Sequence, residues 1–117
     1  MSGEARLAAL TWHRASGPAV TFQLTGERML VGRDEEAAVR LDEPLVSRAH
    51  AEIIRSEEGF VVRDLGSTNR TRVNDRIVSE CQLADGDGLR FARARCTFHL
   101  LHSAPSSAAA PAGRDPS

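Results

Sequence analysis

His50-Ala51-Glu52-Ile53-Ile54-Arg55-Ser56-Glu57-Glu58-Gly59-Phe60-Val61-Val62-Arg63-Asp64 is the stretch on which the fold turns. About His50 to Arg55 reads as one strand, Glu57-Glu58-Gly59 as a polar turn, and Phe60 to Asp64 as the returning strand with Phe60 and Val62 inward. Strand, turn and strand make a hairpin. Upstream, Val20, Phe22 and Leu24 alternate with Thr21 and Gln23, and Met29 and Val31 resume the period of two after a Thr25-Gly26-Glu27 turn. Downstream lie a short pair around Asn74-Asp75, the turn Asp85-Gly86-Asp87-Gly88, and a strand with Leu89 and Phe91 inward. A last strand places Cys96, Phe98 and Leu100 on one face. Many short strands between turns predict an all-β sandwich or barrel.

Two stretches depart from this rhythm. Glu35 to Leu41 favours helix by composition but is too short to stand alone and lies between Arg33-Asp34 and Pro44, so it is predicted as an irregular loop with a short strand near Val39 to Leu41. Leu7 and Ala9 fall out of phase with Leu10 and Trp12, which predicts a bulge in the first strand.

With 117 residues the chain has room for one domain and one core. That domain is placed at residues 1–102. From Ser103 to Ser117 the composition turns to Ala, Ser and Pro with almost no large apolar residue, and this tail is expected to be disordered. Hydrophobic residues make up 41% and charged residues 26%, and no apolar run reaches the roughly 20 residues of a membrane-spanning helix. The opening Met1-Ser2-Gly3-Glu4-Ala5-Arg6 lacks the apolar core of a secretory signal, so a cytoplasmic location away from membranes is expected. Cys81 and Cys96 have no CxxC spacing and are read as small, buried, reduced side chains. All 15 basic residues are arginine, the usage of a GC-rich, bacterial coding sequence. The net charge of -1 provides no global field for nucleic acid, so any anion must be held locally.

The residues with chemistry to offer sit in three loops. Gly32-Arg33 closes one strand, Ser47-Arg48-Ala49-His50 opens the next long one, and Gly66-Ser67-Thr68-Asn69 follows the hairpin. If these loops converge at one end of a sandwich, they gather the guanidinium groups of Arg33 and Arg48, the hydroxyls of Ser47 and Thr68 and the amide of Asn69. That donor-rich set suits a phosphorylated side chain, a dianion with three acceptor oxygens.

The ordered run Gly32-Arg33, Ser47-Arg48-Ala49-His50, Ser67-Thr68-Asn69, Val73-Asn74, closing on Leu83-Ala84-Asp85-Gly86-Asp87, resembles the signature of forkhead-associated (FHA) domains over roughly Leu7 to Leu101. The resemblance implies an eleven-stranded β-sandwich of two twisted sheets (SMAD/FHA-like), with the recognition loops at one end. It implies Arg33 as the main phosphate ligand, Ser47 and Thr68 as hydroxyl donors to the same phosphate, and Arg48 on the phosphate or the peptide flank. Asn69 resembles the residue that clamps the bound peptide's main chain, and Gly32 and His50 resemble structural supports. A preference for phosphothreonine is implied, with no metal and no cofactor. Arg70 departs from the family, which usually has glycine there. Either the turn changes shape and misaims Asn69, or it survives a positive φ and Arg70 adds a cation to the rim, which is the reading favoured because the other residues of the site persist.

Taken singly, Arg33 is an ordinary strand-end arginine, Ser47 a turn cap, Ser67-Thr68-Asn69 a polar turn and His50 a buried structural histidine. A hydrolytic set of Ser47, His50 and Asp64 lacks a nucleophile elbow, and His99 and His102 sit at an odd strand offset that sends them to opposite faces, poor for a shared metal. Arg93 and Arg95 read as a solvated strand end. The function expected is therefore a non-enzymatic adaptor for a phosphothreonine-containing kinase or kinase substrate. The alternative is a phosphate-independent interaction or oligomerisation module using a sheet face, and nucleic-acid binding ranks below both.

Overall fold

The computed structural model describes residues 7–57 and 59–101. Its elements are β1 (Leu7–His13), β2 (Val20–Leu24), β3 (Arg28–Gly32), β4 (Val39–Arg40), β5 (Ala51–Ser56) and β6 (Gly59–Asp64). They continue with β7 (Thr71–Val73), β8 (Arg76–Val78), β9 (Glu80–Leu83), β10 (Gly88–Phe91) and β11 (Ala94–Leu101). Six strands form one sheet in the order β2-β1-β11-β10-β7-β8, and five form the other in the order β4-β3-β5-β6-β9. The all-β, two-sheet architecture expected from the sequence is the one observed.

The deciding stretch folds as read, with Ile53 opposite Val62 and Arg55 opposite Phe60 across the β5–β6 hairpin. The inner faces of both sheets supply the core. Phe60 of one sheet and Phe98 of the other are fully buried with ring centroids 5.6 Å apart. Truncating either to alanine would cost about 3–5 kcal/mol through lost burial and the cavity left behind.

The bulge expected in β1 is absent. The pairing is continuous one to one from Leu7 opposite Leu101 to His13 opposite Arg95, and equally unbroken against β2. The phase conflict dissolves because Ala8 shares the inner face with Leu10 and Trp12. Ala9 is buried on the other face, where the cross-strand neighbours Gln23 and His99 flank its single methyl. The sequence reading also passed over β9, whose apolar alternation is limited to Cys81 and Leu83. Cys96 is buried as expected, and burial pushes its thiol up to about 12, whereas Cys81 is only half-buried. The tail from Ser103 onward and His102, which the sequence reading judged a poor metal partner for His99, lie outside the described residues.

Strand direction explains why distant loops meet. β3 and β6 each run antiparallel to β5, so Gly32 and Asp64 end beside the start of β5. In the other sheet β10 ends beside the start of β7, which brings the β10–β11 turn to the same rim. Asn74 and Asp87 serve the opposite end. Asn74 Nδ2 donates to Asp87 Oδ1 at 3.0 Å, Asn74 Oδ1 accepts the Gly88 amide at 2.9 Å, and Asp87 Oδ2 accepts the Ala84 amide at 2.7 Å.

Candidate functional site

The rim is built on a glycine that cannot be replaced. An ideal Cβ on Gly32 would lie 2.0 Å from the carbonyl oxygen of Arg48 and 2.9 Å from that of Ser47, so the loop before β5 lies directly on its backbone. The Arg33 amide donates to Ser47 O at 3.1 Å and the Asp34 amide to Arg48 O at 3.2 Å, which fixes both loops together. The Arg33 side chain is aimed by the same loop. Its Nε donates to Val46 O at 2.7 Å, leaving both terminal NH2 groups without a partner among the described residues.

Buried His50 joins three loops. Its Nδ1 accepts the Ser47 amide at 3.0 Å, which makes the ring neutral with its proton on Nε2, and Nε2 donates to Arg70 O at 2.8 Å. Phe91 meets the ring edge-on with centroids 5.7 Å apart. The Ser47 hydroxyl accepts the Thr68 amide at 3.2 Å and keeps its own hydrogen to give. Asn69 Nδ2 donates to Leu45 O at 2.9 Å. The Arg48 and Thr68 side chains are exposed at the same rim.

At Arg70 the backbone keeps the left-handed turn, with φ of 72°. The carbonyl oxygen of Arg70 is held from two sides, by His50 Nε2 and by the Ala92 amide at 3.3 Å, so the turn cannot relax without releasing both. The side chain is exposed. The structure thus has the retained turn of the two shapes that the sequence left open.

Asp64 was missed as an organiser. Its Oδ2 accepts the Gly66 and Ser67 amides at 2.9 and 3.0 Å, while Oδ1 accepts the hydroxyls of Ser67 at 2.5 Å and Thr71 at 2.8 Å. Burial raises the carboxyl, but the Ser67 and Thr71 hydroxyls and the Ser67 and Gly66 amides outweigh it and hold Asp64 below its ordinary value of 3.8. The signal was present as Asp-x-Gly-Ser, an aspartate capping its own turn. With Asp64 so engaged and both His50 nitrogens on backbone groups, the hydrolytic set of Ser47, His50 and Asp64 is not assembled. Among the described residues no group of His, Cys, Asp and Glu could hold a metal ion.

The family model of the FHA domain matches residues 29–92, more than half of the chain and every loop just described. The chain belongs to the FHA domain family. It is 40% identical over 82 residues to the FHA domain-containing protein FhaA of Mycobacterium tuberculosis, covering 70% of this chain and 16% of that one. It is 33% identical over 91 residues to the oxoglutarate dehydrogenase inhibitor of Corynebacterium jeikeium, covering 78% of this chain and 63% of that one. The chain therefore spans less than two thirds of the length of either relative.

A solved FHA domain studied for its phosphothreonine-dependent interactions superposes with a TM-score of 0.75 at 36% identity, over 84% of this chain and 99% of that one. The FhaA FHA domain, solved in complex with an intracellular domain of another protein, gives 0.72 at 37% identity, over 79% and 99%. Within this FHA domain, the donors that the loop framework leaves at the rim include the Arg33 NH2 groups, the Ser47 and Thr68 hydroxyls, the second N–H of Asn69, Arg48 and Arg70.

Proposed function

We propose that this FHA domain binds phosphothreonine-containing segments of a kinase or kinase substrate at the loop rim, as a cytoplasmic adaptor without catalytic activity. The observation that carries this reading is Arg33: its Nε is spent on Val46 O, and its two NH2 groups form a fork of the shape that grips two phosphate oxygens. Ser47 Oγ, aligned by the Thr68 amide, would donate its hydrogen to the same phosphate, and Thr68 Oγ1 would add a further donor. Arg48 would line the phosphate or the peptide flank. Asn69, steadied against Leu45 O, retains a second N–H and its Oδ1 for the peptide main chain. Gly32 and His50 would support the site without touching the ligand. The phosphothreonine-dependent interactions of the solved relative favour the same ligand.

Calorimetric titration with one peptide in phosphothreonine, phosphoserine and unphosphorylated forms tests the reading. Binding should be strongest for phosphothreonine and immeasurable without phosphate. Equal affinity for the phosphorylated and unphosphorylated forms would refute it.

A further inference from the structure

The outer face of the six-stranded sheet carries a row of like charges that neither the core nor the loop site requires. Arg72 of β7 lies opposite Arg90 of β10, Arg90 opposite Arg95 of β11, and Arg95 opposite His13 of β1. Each alternates with inward residues: Val73 beside Arg72, Leu89 and Phe91 around Arg90, Ala94 and Cys96 around Arg95, Trp12 beside His13. Like charges directly opposite one another disfavour strand pairing. One acid answers the row: Asp75 Oδ1 lies 3.4 Å from Arg90, and its carbonyl oxygen accepts from Arg72 at 3.5 Å. Arg95 has no acidic partner among the described residues.

In the other sheet two arginines are paired with acids: Glu52 lies 3.6 Å from Arg28 and 3.4 Å from Arg63, and Glu80 lies 3.4 Å from Arg63. The cationic row is a local feature of one face in a chain of net charge -1. The row also borders a concavity of about 440 Å³ lined by His13, Asn74, Asp75, Arg90, Arg95 and Thr97. His13 Nε2 is steadied there against Thr97 Oγ1 at 2.7 Å.

We infer that this face is a second docking surface, independent of phosphate, for an extended acidic segment of a protein partner. Arg72, Arg90 and Arg95 on three neighbouring strands, at an interstrand spacing of about 4.8 Å, make a cationic row about 10 Å long that the His13 imidazole continues. Side chains on one face of an extended peptide recur about every 6.8 Å, so two acids two positions apart fall within the length of the row. A segment lying across the strands would set its carboxylates over the guanidinium groups of Arg95, which has no acidic partner among the described residues, and of Arg90, which has Asp75 alone. Exposed Ile77, opposite Arg72 at the sheet edge, adds an apolar end to the row. Neither Arg90 nor Arg95 belongs to the loop site, so the two surfaces can be tested apart.

The probe is an unphosphorylated dodecapeptide of alternating glutamate and serine, titrated into the isotopically labelled protein at about 50 and 200 mM salt. Amide shifts should move along β1, β10 and β11. The double variant Arg90→Thr, Arg95→Thr should lose at least about fivefold in affinity at the lower salt. It should keep the melting temperature or raise it, since a like-charge pair is removed, and should bind a neutral-flanked phosphothreonine peptide as before. Unchanged affinity of the double variant for the acidic peptide, or shifts confined to the loop rim, overturns the inference. Tighter binding of a single-stranded DNA of equal length, weakened alike by the double variant, overturns it too, because the face would then be a nucleic-acid surface.

Discussion

His50 donates through Nε2 to the carbonyl oxygen of Arg70 at 2.8 Å, and with the Ala92 amide that bond holds the non-glycine turn at the rim. The φ of 72° at Arg70 is unfavourable for an L-residue by about 1 kcal/mol or more. Arg70→Gly should therefore leave thermal stability unchanged or slightly higher. It should selectively weaken binding of phosphothreonine peptides with acidic flanks, more at low salt than at high, since rim charges are screened within about 10 Å at 0.1 M. Uniformly better binding to all peptides would show that Arg70 is a strained departure with no part in specificity. Paired calorimetry and melting curves on the variant decide it.

His50 and Ser47 should separate scaffold from ligand. His50→Ala removes a fully buried ring and both loop-spanning bonds, so a loss of about 2–4 kcal/mol is expected, visible as a fall in melting temperature of roughly 10 °C or more together with weaker binding. Ser47→Ala keeps the Ser47 amide that His50 holds. It should weaken phosphopeptide binding with a small change in melting temperature.

Acid should loosen the loop that Asp64 organises. Because the folded carboxyl lies below its ordinary 3.8, its contribution is present above that value and is lost as pH falls through the folded pKa. Asp64→Asn replaces an acceptor with a donor facing the Ser67 and Thr71 hydroxyls, so it should be less stable than the wild type at pH 7. The gap between the two should narrow as pH falls below about 4, measured by urea denaturation.

Binding should weaken on milder acidification for a different reason. The second ionisation of a phosphorylated side chain lies near pH 6, and a site of donors favours the dianion. Affinity should fall between about pH 7 and pH 5. Flat or tighter binding with an intact fold by circular dichroism would mean that the loop donors do not face the phosphate.

Much of the fold was legible because period-two burial is a local property: Phe60 with Val62 and Leu89 with Phe91 announce their faces without knowing their partners. β1 misled because its inner face is carried by Ala8, which a reading of large apolar residues discounts. β9 was hidden for a related reason, having one large apolar side chain, Leu83, to mark its phase. Convergence of Arg33, Ser47 and Thr68 could be expected only through the family resemblance, since beyond the local β5–β6 hairpin it depends on the β3–β5 and β7–β10 pairings, which are distant in sequence. Asp64 was visible as a turn former but not as the acceptor of the Thr71 hydroxyl, which needs the loop closed. The arginine row was invisible because register, not sequence spacing, places Arg72, Arg90 and Arg95 side by side.

Calorimetry of a phosphothreonine peptide with wild-type, Arg33→Ala and Arg33→Lys proteins addresses the loop site most directly. Micromolar binding corresponds to about 8 kcal/mol, and one charge-assisted hydrogen bond to about 1.5–3 kcal/mol. Arg33→Ala should therefore lose on the order of tenfold to a hundredfold or more, and Arg33→Lys should recover little, because an ammonium lacks both the Nε bond to Val46 O and the fork. Near-wild-type affinity in folded Arg33→Ala would show that the phosphate is not held at this rim.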